Sequence, residues 1–200
     1  MMRSSCEENT IVLASGSKYR ANLLNRLGLP FKQQAADIDE SPLMNEHPLS
    51  LVERLSVEKA LSIAKQMPNA WVIGSDQIAL FQESIIGKPG GFAEAKKQLQ
   101  LFSGNCVKFM TGLCLYQHST QTRRYELASV EVHFKDLSDL LIENYLKTDS
   151  PYDCAGSFKV ESLGVCLFDK VVSDDPTALE GLPLISLCKM FEQVGIKLFG

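Results

Sequence analysis

Short apolar runs of strand length alternate along this chain with segments of helical period, and that alternation points to an α/β architecture. Ile11-Val12-Leu13-Ala14 reads as a buried strand that turns through Ser15-Gly16-Ser17 into a helix. Leu23, Leu24 and Leu27 mark one face of that helix, and Gly28 and Pro30 end it. Residues 37–48 are polar and turn-rich and read as a loop. Ser50 with Glu53 has the capping-box pattern that opens a helix, expected to run to about Met67 with Val57, Ala60, Leu61 and Ala64 inward.

A strand begins at Trp71-Val72-Ile73-Gly74 and resumes as Ile78-Ala79-Leu80 after a polar interruption. Residues 87–91 form a loop, followed by a helix with Phe92, Ala95, Leu99 and Phe102 on one face. Longer strands are expected over 107–116 and 125–134, and Ser138 caps a helix to about Lys147. A late strand is expected over 165–172 and a closing helix over 182–194, with Pro183 in its first turn. No repeat and no Pro- or Ser-rich linker divides the chain. The economical reading is a single domain with two lobes around a central cleft.

Lys and Arg total 20 against 24 Asp and Glu. Nucleic-acid binding draws most of its non-specific affinity from basic excess, so this balance argues against an RNA or DNA partner. A small polyanion needs only a few local cations and stays open. No apolar run reaches the roughly 18 residues of a membrane span. Residues 1–10 lack the apolar core of a signal peptide, so the cytoplasm is the expected compartment. The six cysteines are scattered without a C-x-x-C pair and read as reduced thiols, mostly small core residues, with no zinc-site spacing.

The strand-turn-helix at residues 14–20 is the first candidate site. Helix N-termini present unpaired N–H groups and a positive dipole end, and so bind anions. Lys18 and Arg20 in that first turn have the wrong sign for the dipole unless an anion sits there. Arg20 projects from the side of the helix that carries its leucines. A solvated basic turn capped by Ser17 is the plainer alternative. Asp76 and Gln77 interrupt an apolar strand, where a carboxylate costs several kcal/mol without compensation. Either the strand ends in a turn there, or Asp76 is a metal ligand or a base for water. Lys88 sits between Gly87 and Pro89 on a rigid turn, a plausible phosphate contact. Lys59 by itself reads as a snorkelling surface cation. Glu40 is a loop carboxylate able to hold Mg²⁺ together with substrate oxygens.

Taken in order, these segments resemble the Maf family of nucleoside triphosphate pyrophosphatases. The matching blocks are Leu13-Ala14-Ser15-x-Ser17-x-x-Arg20, Glu40, Lys59-Ala60, Gly74-x-Asp76 and Gly87-Lys88-Pro89. Ser103-Gly104, Thr111-Gly112, Ala155-Gly156 and Gly181-Leu182-Pro183 complete the set. The resemblance implies a mixed twisted sheet with flanking helices, Maf/ITPase-like, over a single domain at 10–200 preceded by a flexible segment at 1–9. It implies hydrolysis of a nucleoside triphosphate to the monophosphate and pyrophosphate, with Mg²⁺, Mn²⁺ or Co²⁺. Ser15, Ser17, Arg20, Lys59 and Lys88 would bind phosphates, Asp76 would be the general base, and Glu40 with Asp76 would hold the metal. A homodimer is compatible with it.

Three departures from the commonest pattern are similar to the branch of the family that prefers 7-methyl-GTP: Tyr19 where that branch often has Trp, Gln77, and Glu161. N7-methylation makes guanine cationic, and a cation over an aromatic face gains about 0.5–2 kcal/mol. A carboxylate at Glu161 can accept from the guanine N1–H and N2–H₂ edge, whereas uracil and thymine would set carbonyl lone pairs against it. The other readings are pyrophosphate release from dTTP or UTP, and a regulatory protein of cell division arrest.

Overall fold

The computed structural model describes residues 10–199, and the segment expected to be flexible at 1–9 lies outside the described residues. The sheet is built from β1 (Ile11–Leu13), β2 (Phe31–Gln33), β3 (Trp71–Phe81), β4 (Ser84–Ile86), β5 (Cys106–Gln117), β6 (Thr122–Phe134) and β7 (Phe168–Ser173). Its order is β2-β1-β3-β5-β6-β7, with β4 added to β3. The β1 pairings with β2 and β3 are parallel and the remaining pairings antiparallel, so the sheet is mixed as expected.

The helices are α1 (Lys18–Asn25), α2 (Pro48–Ala64), α3 (Phe92–Phe102), α4 (Asp139–Asp149) and α5 (Leu184–Gln193). Ser17 caps α1, its Oγ accepting from the Arg20 N–H, and Ser138 caps α4 through the Leu141 N–H. The start of α2 differs from expectation. His47 is the cap, its Nδ1 accepting from the Leu49 N–H at 3.3 Å, and Pro48 occupies the first helical position. Proline is preset for that position and has no N–H to leave unpaired, so it starts the helix before the Ser50–Glu53 pair. The expected strand over 165–172 is also shifted: residues 163–167 form a 3₁₀ turn and pairing begins at Phe168.

Strand β3 is continuous through Asp76, which overturns the reading of a turn there. Trp71–Ile73 pair with β1, and Ala79–Phe81 pair with β4 on the same edge. Between them β3 is paired through β5 alone, leaving an opening in the sheet at Asp76. The Asp76 N–H facing that opening is satisfied by Ser56 Oγ at 3.0 Å, and Ser56 donates to the Val52 carbonyl at 2.7 Å.

The strand also joins two cores. One packs Leu13, Leu23, Leu24, Ile73, Leu187 and Phe191 between the sheet, α1 and α5. The other packs Phe81, Leu99, Phe102, Phe109, Phe134 and Ile142 against α3 and α4. On the opposite face, α2 lies unusually close to the sheet, for a reason written in two glycines. A Cβ on Gly74 would overlap the Ser56 carbonyl and lie 2.7 Å from the Ala60 nitrogen; one on Gly112 would overlap Ser56 Oγ. These glycines remove the side chains that would hold α2 away.

Candidate active site

That close approach brings Lys59 of α2 onto Asp76 of β3. Lys59 Nζ lies 2.6 Å from Asp76 Oδ1 and 2.8 Å from Glu40 Oε1. Lys59 is only 6% exposed, so the snorkelling reading is wrong; its stem is covered by protein and its ammonium is clamped between two carboxylates. Burial raises the Glu40 carboxyl, but the hydrogen bond and charge of Lys59, aided by Lys88 and Arg20, outweigh it and hold the group below its usual value. An ammonium has three N–H donors. Two are engaged here, and among the described residues the third has no partner.

Arg20 comes to the same place from α1. Its Nε donates to the Gly181 carbonyl at 2.8 Å and one terminal nitrogen to Ser15 Oγ at 3.3 Å. Surrounding protein lowers its pKa, while Asp76 and then Glu40 pull it back up. Gly181 adopts φ +98°, a conformation natural to glycine, and its carbonyl also accepts from Ser75 Oγ at 3.0 Å. Gly181-Leu182-Pro183 therefore positions the guanidinium.

A cleft with two connected ends runs past these groups. The wide end, about 640 Å³, is lined by Ser15, Ser17, Arg20, Glu40, Lys59 and Asp76, among others. The narrow end, about 160 Å³, is lined by Cys154, Ala155, Phe158, Val160, Glu161 and Glu180, among others. Ser17, Tyr19, Arg20, Gln77, Lys88 and Asp153 line both. All the expected site residues thus border one cleft. Lys18, Lys59, Glu40 and Asp76 line only the wide end; among the described residues, Glu161 and Glu180 are the charged ones that line the narrow end alone.

At the narrow end Gln77 has an architectural part. Its side-chain amide donates to the Ala178 carbonyl at 2.7 Å and to Thr111 Oγ1 at 2.9 Å. It thereby holds the 3₁₀ turn Pro176–Glu180, which delivers Glu180 to the wall. Burial raises the Glu180 carboxyl, and the Glu161 charge raises it further against Arg26. Burial also raises the Tyr19 hydroxyl, with Cys154 and Asp153 adding to it. Lys18 Nζ sits 5.1 Å from the Tyr19 ring centroid, so this ring already attracts a cation.

A buried link ties the two ends together. Gln98 of α3 donates to the Gly87 carbonyl at 3.1 Å and accepts from Ser157 Oγ at 2.5 Å. The turn carrying Lys88 is thus fastened to the segment carrying Cys154 to Glu161.

The sequence matches the Maf-like protein family over residues 10–194. The chain belongs to that family. Relatives named 7-methyl-GTP pyrophosphatase include one from Colwellia psychrerythraea, 47% identical over 94% of each chain, and one from Nitrosococcus oceani, 48% identical over 93% of this chain and 94% of that one. A HAM1 protein from Coxiella burnetii has a TM-score of 0.53 at 16% identity, covering 92% of this chain and 98% of that one. At that identity it shows the fold alone, in line with the expected Maf/ITPase-like sheet.

Sequence reasoning missed Asp153, Ser75 and Glu180. Glu180 directly precedes a matching Maf block and Ser75 stands inside another, between Gly74 and Asp76, which were the available signals; Asp153 carried none. Asp153 is exposed and reaches the cleft from a segment without regular structure.

Proposed function

We propose that this Maf protein hydrolyses 7-methyl-GTP to 7-methyl-GMP and pyrophosphate, removing a modified nucleotide from the pool. The observation that carries the reading is the charge along one cleft: four cations, Lys18, Arg20, Lys59 and Lys88, gather at the wide end around Glu40 and Asp76, while the narrow end adds only the carboxylates Glu161 and Glu180. A triphosphate belongs at the first and a cationic base at the second. After burial, the Glu161 charge helps to raise the Glu180 carboxyl, and a cationic ring beside that carboxyl would favour its charged form. The relatives' shared name agrees with this assignment.

Binding would use the helix N-terminus after Ser15, the planar fork of Arg20 and the point charges of Lys59 and Lys88. Asp76 would take a proton from water as the water oxygen bonds to the α-phosphorus. The bond to the α–β bridging oxygen then breaks and pyrophosphate departs. Because Lys59 has a third donor, a phosphate oxygen can join it without dismantling its contacts to Asp76 and Glu40.

A divalent cation fits the same place, since Glu40 and Asp76 are hard oxygen donors that already converge on one positive charge. When bound, Mg²⁺, Mn²⁺ or Co²⁺ would supply neutralisation of the charge that develops on the phosphate oxygens. Glu40 and Asp76 would hold it beside Lys59, whose third donor would stay with the substrate.

The test is pyrophosphate release by the purified chain with Mg²⁺ from 7-methyl-GTP, GTP, dTTP and UTP. The highest kcat/KM is expected for 7-methyl-GTP; equal values on all four would refute the specificity.

A further inference from the structure

Away from the cleft, strand pairing assembles three side chains whose spacing in the sequence gives no hint of a site. Cys106 of β5 and His133 of β6 are direct register partners, and Glu131 lies two residues along β6 on the same face. Cys106 Sγ is 3.8 Å from His133 Nε2, and Glu131 Oε2 is 3.8 Å from that same nitrogen. One donor atom from each of the three lies within 4.8 Å of the others. All three residues are half-buried, and none of them borders the cleft.

We propose that Cys106, Glu131 and His133 bind a borderline-soft divalent transition metal of the zinc class, at a site separate from the carboxylates of the cleft. A sulfur, an imidazole nitrogen and a carboxylate oxygen form a donor set suited to zinc, whereas the oxygen-only set of Glu40 and Asp76 suits harder ions. Bond lengths of about 2.0–2.3 Å around a tetrahedral ion place neighbouring donors roughly 3.5 Å apart. Both 3.8 Å separations reach that with a few tenths of an ångström of side-chain movement.

The surroundings arrange the donors. Glu131 Oε1 pairs with Lys108 at 3.2 Å, which steadies the carboxylate and leaves Oε2 for the site. The pairing of β6 with β7 is irregular between His133 and Phe134, and such irregularities re-aim side chains. Lys108 and Lys170, the register partner of His133, are the nearby ammonium groups; both are exposed on long stems and can turn into water. Three protein ligands leave one position for water, so the metal should exchange more readily than in a closed four-ligand site.

Co²⁺ added to the purified, reduced full chain supplies the test, because a cobalt–thiolate bond has a near-ultraviolet charge-transfer band that oxygen ligands do not produce. One equivalent of Co²⁺ should develop the band and Zn²⁺ should abolish it. Cys106→Ser should remove it, and His133→Ala and Glu131→Gln should each weaken Zn²⁺ binding by about tenfold or more. Asp76→Asn should retain it, and Cys106→Ser should keep the parent rate of Mg²⁺-supported hydrolysis. Circular dichroism would confirm that each variant folds. Absence of the band, its survival in Cys106→Ser, or Zn²⁺ binding unaffected by both other substitutions would overturn the proposal.

Discussion

The wide and narrow ends of the cleft are built in different ways. At the wide end, Asp76 sits on a central strand, Lys59 on a long helix pressed against it, and Arg20 on a capped helix pinned to Gly181. Their positions follow from main-chain packing. At the narrow end, Asp153, Cys154 and Glu161 come from a segment without regular structure, and Glu180 from the last residue of a short turn held by Gln77. A rigid end suits chemistry common to every nucleotide, since misplacement by an ångström is costly there. A loop-built end can exchange side chains without disturbing the core, which suits a choice among bases.

The largest effect should break the wide end. Asp76→Asn should lower kcat for pyrophosphate release on the order of 10²–10⁴-fold with the fold retained; turnover near the parent rate would show that the reacting centre lies elsewhere. Lys59→Met should act on stability as well as rate. It leaves the buried Asp76 carboxylate without its partner, a loss of about 3–5 kcal/mol, visible as a lower melting temperature.

Substitutions at the narrow end should be milder and should alter selectivity rather than stability. Glu161→Gln should reduce the preference for 7-methyl-GTP over GTP by about tenfold, an effect of about 1.4 kcal/mol, read from kcat/KM on the two substrates. An equal fall on both would mean that Glu161 does not read the methylated base. Tyr19→Leu should weaken 7-methyl-GTP selectively by about 0.5–1 kcal/mol, measurable as a higher KM.

The smallest effect concerns acid. Glu40 has its carboxyl held below the usual value in the folded chain, so its contact with Lys59 stabilises the fold above the unfolded carboxylate pKa. That contribution is lost as pH falls through the lower folded value. Glu40→Gln should therefore flatten the acid side of the stability profile slightly, as followed by thermal melting across pH.

The local signals in the sequence were legible because they act within a few residues. Ser17 and Ser138 cap the helices they were expected to cap, and Leu23 and Leu24 face the core. The strands β2 and β4 were missed although β1 is equally short, because β1 is a wholly buried apolar run whereas Phe31-Lys32-Gln33 and Ser84-Ile85-Ile86 are mostly exposed and carry no such signal. The capping box at Ser50 lost to His47 and Pro48 one turn earlier because two valid starts competed and the proline had the stronger preset. Asp76 stayed ambiguous because the ammonium that permits it inside a strand comes from 17 residues away.

By itself, then, the sequence determined the alternation of strands and helices, the strand-turn-helix around Ser15-Gly16-Ser17 and the order of the family's motifs. Each depends on backbone preference or on neighbours one helical turn away. Tertiary structure decided that Lys59 is a buried partner of Asp76, that Gln77 supports the wall carrying Glu180, and that Cys106 meets His133. Those outcomes depend on how closely α2 approaches two glycines and on the register of strands distant in sequence. No local rule contains that information.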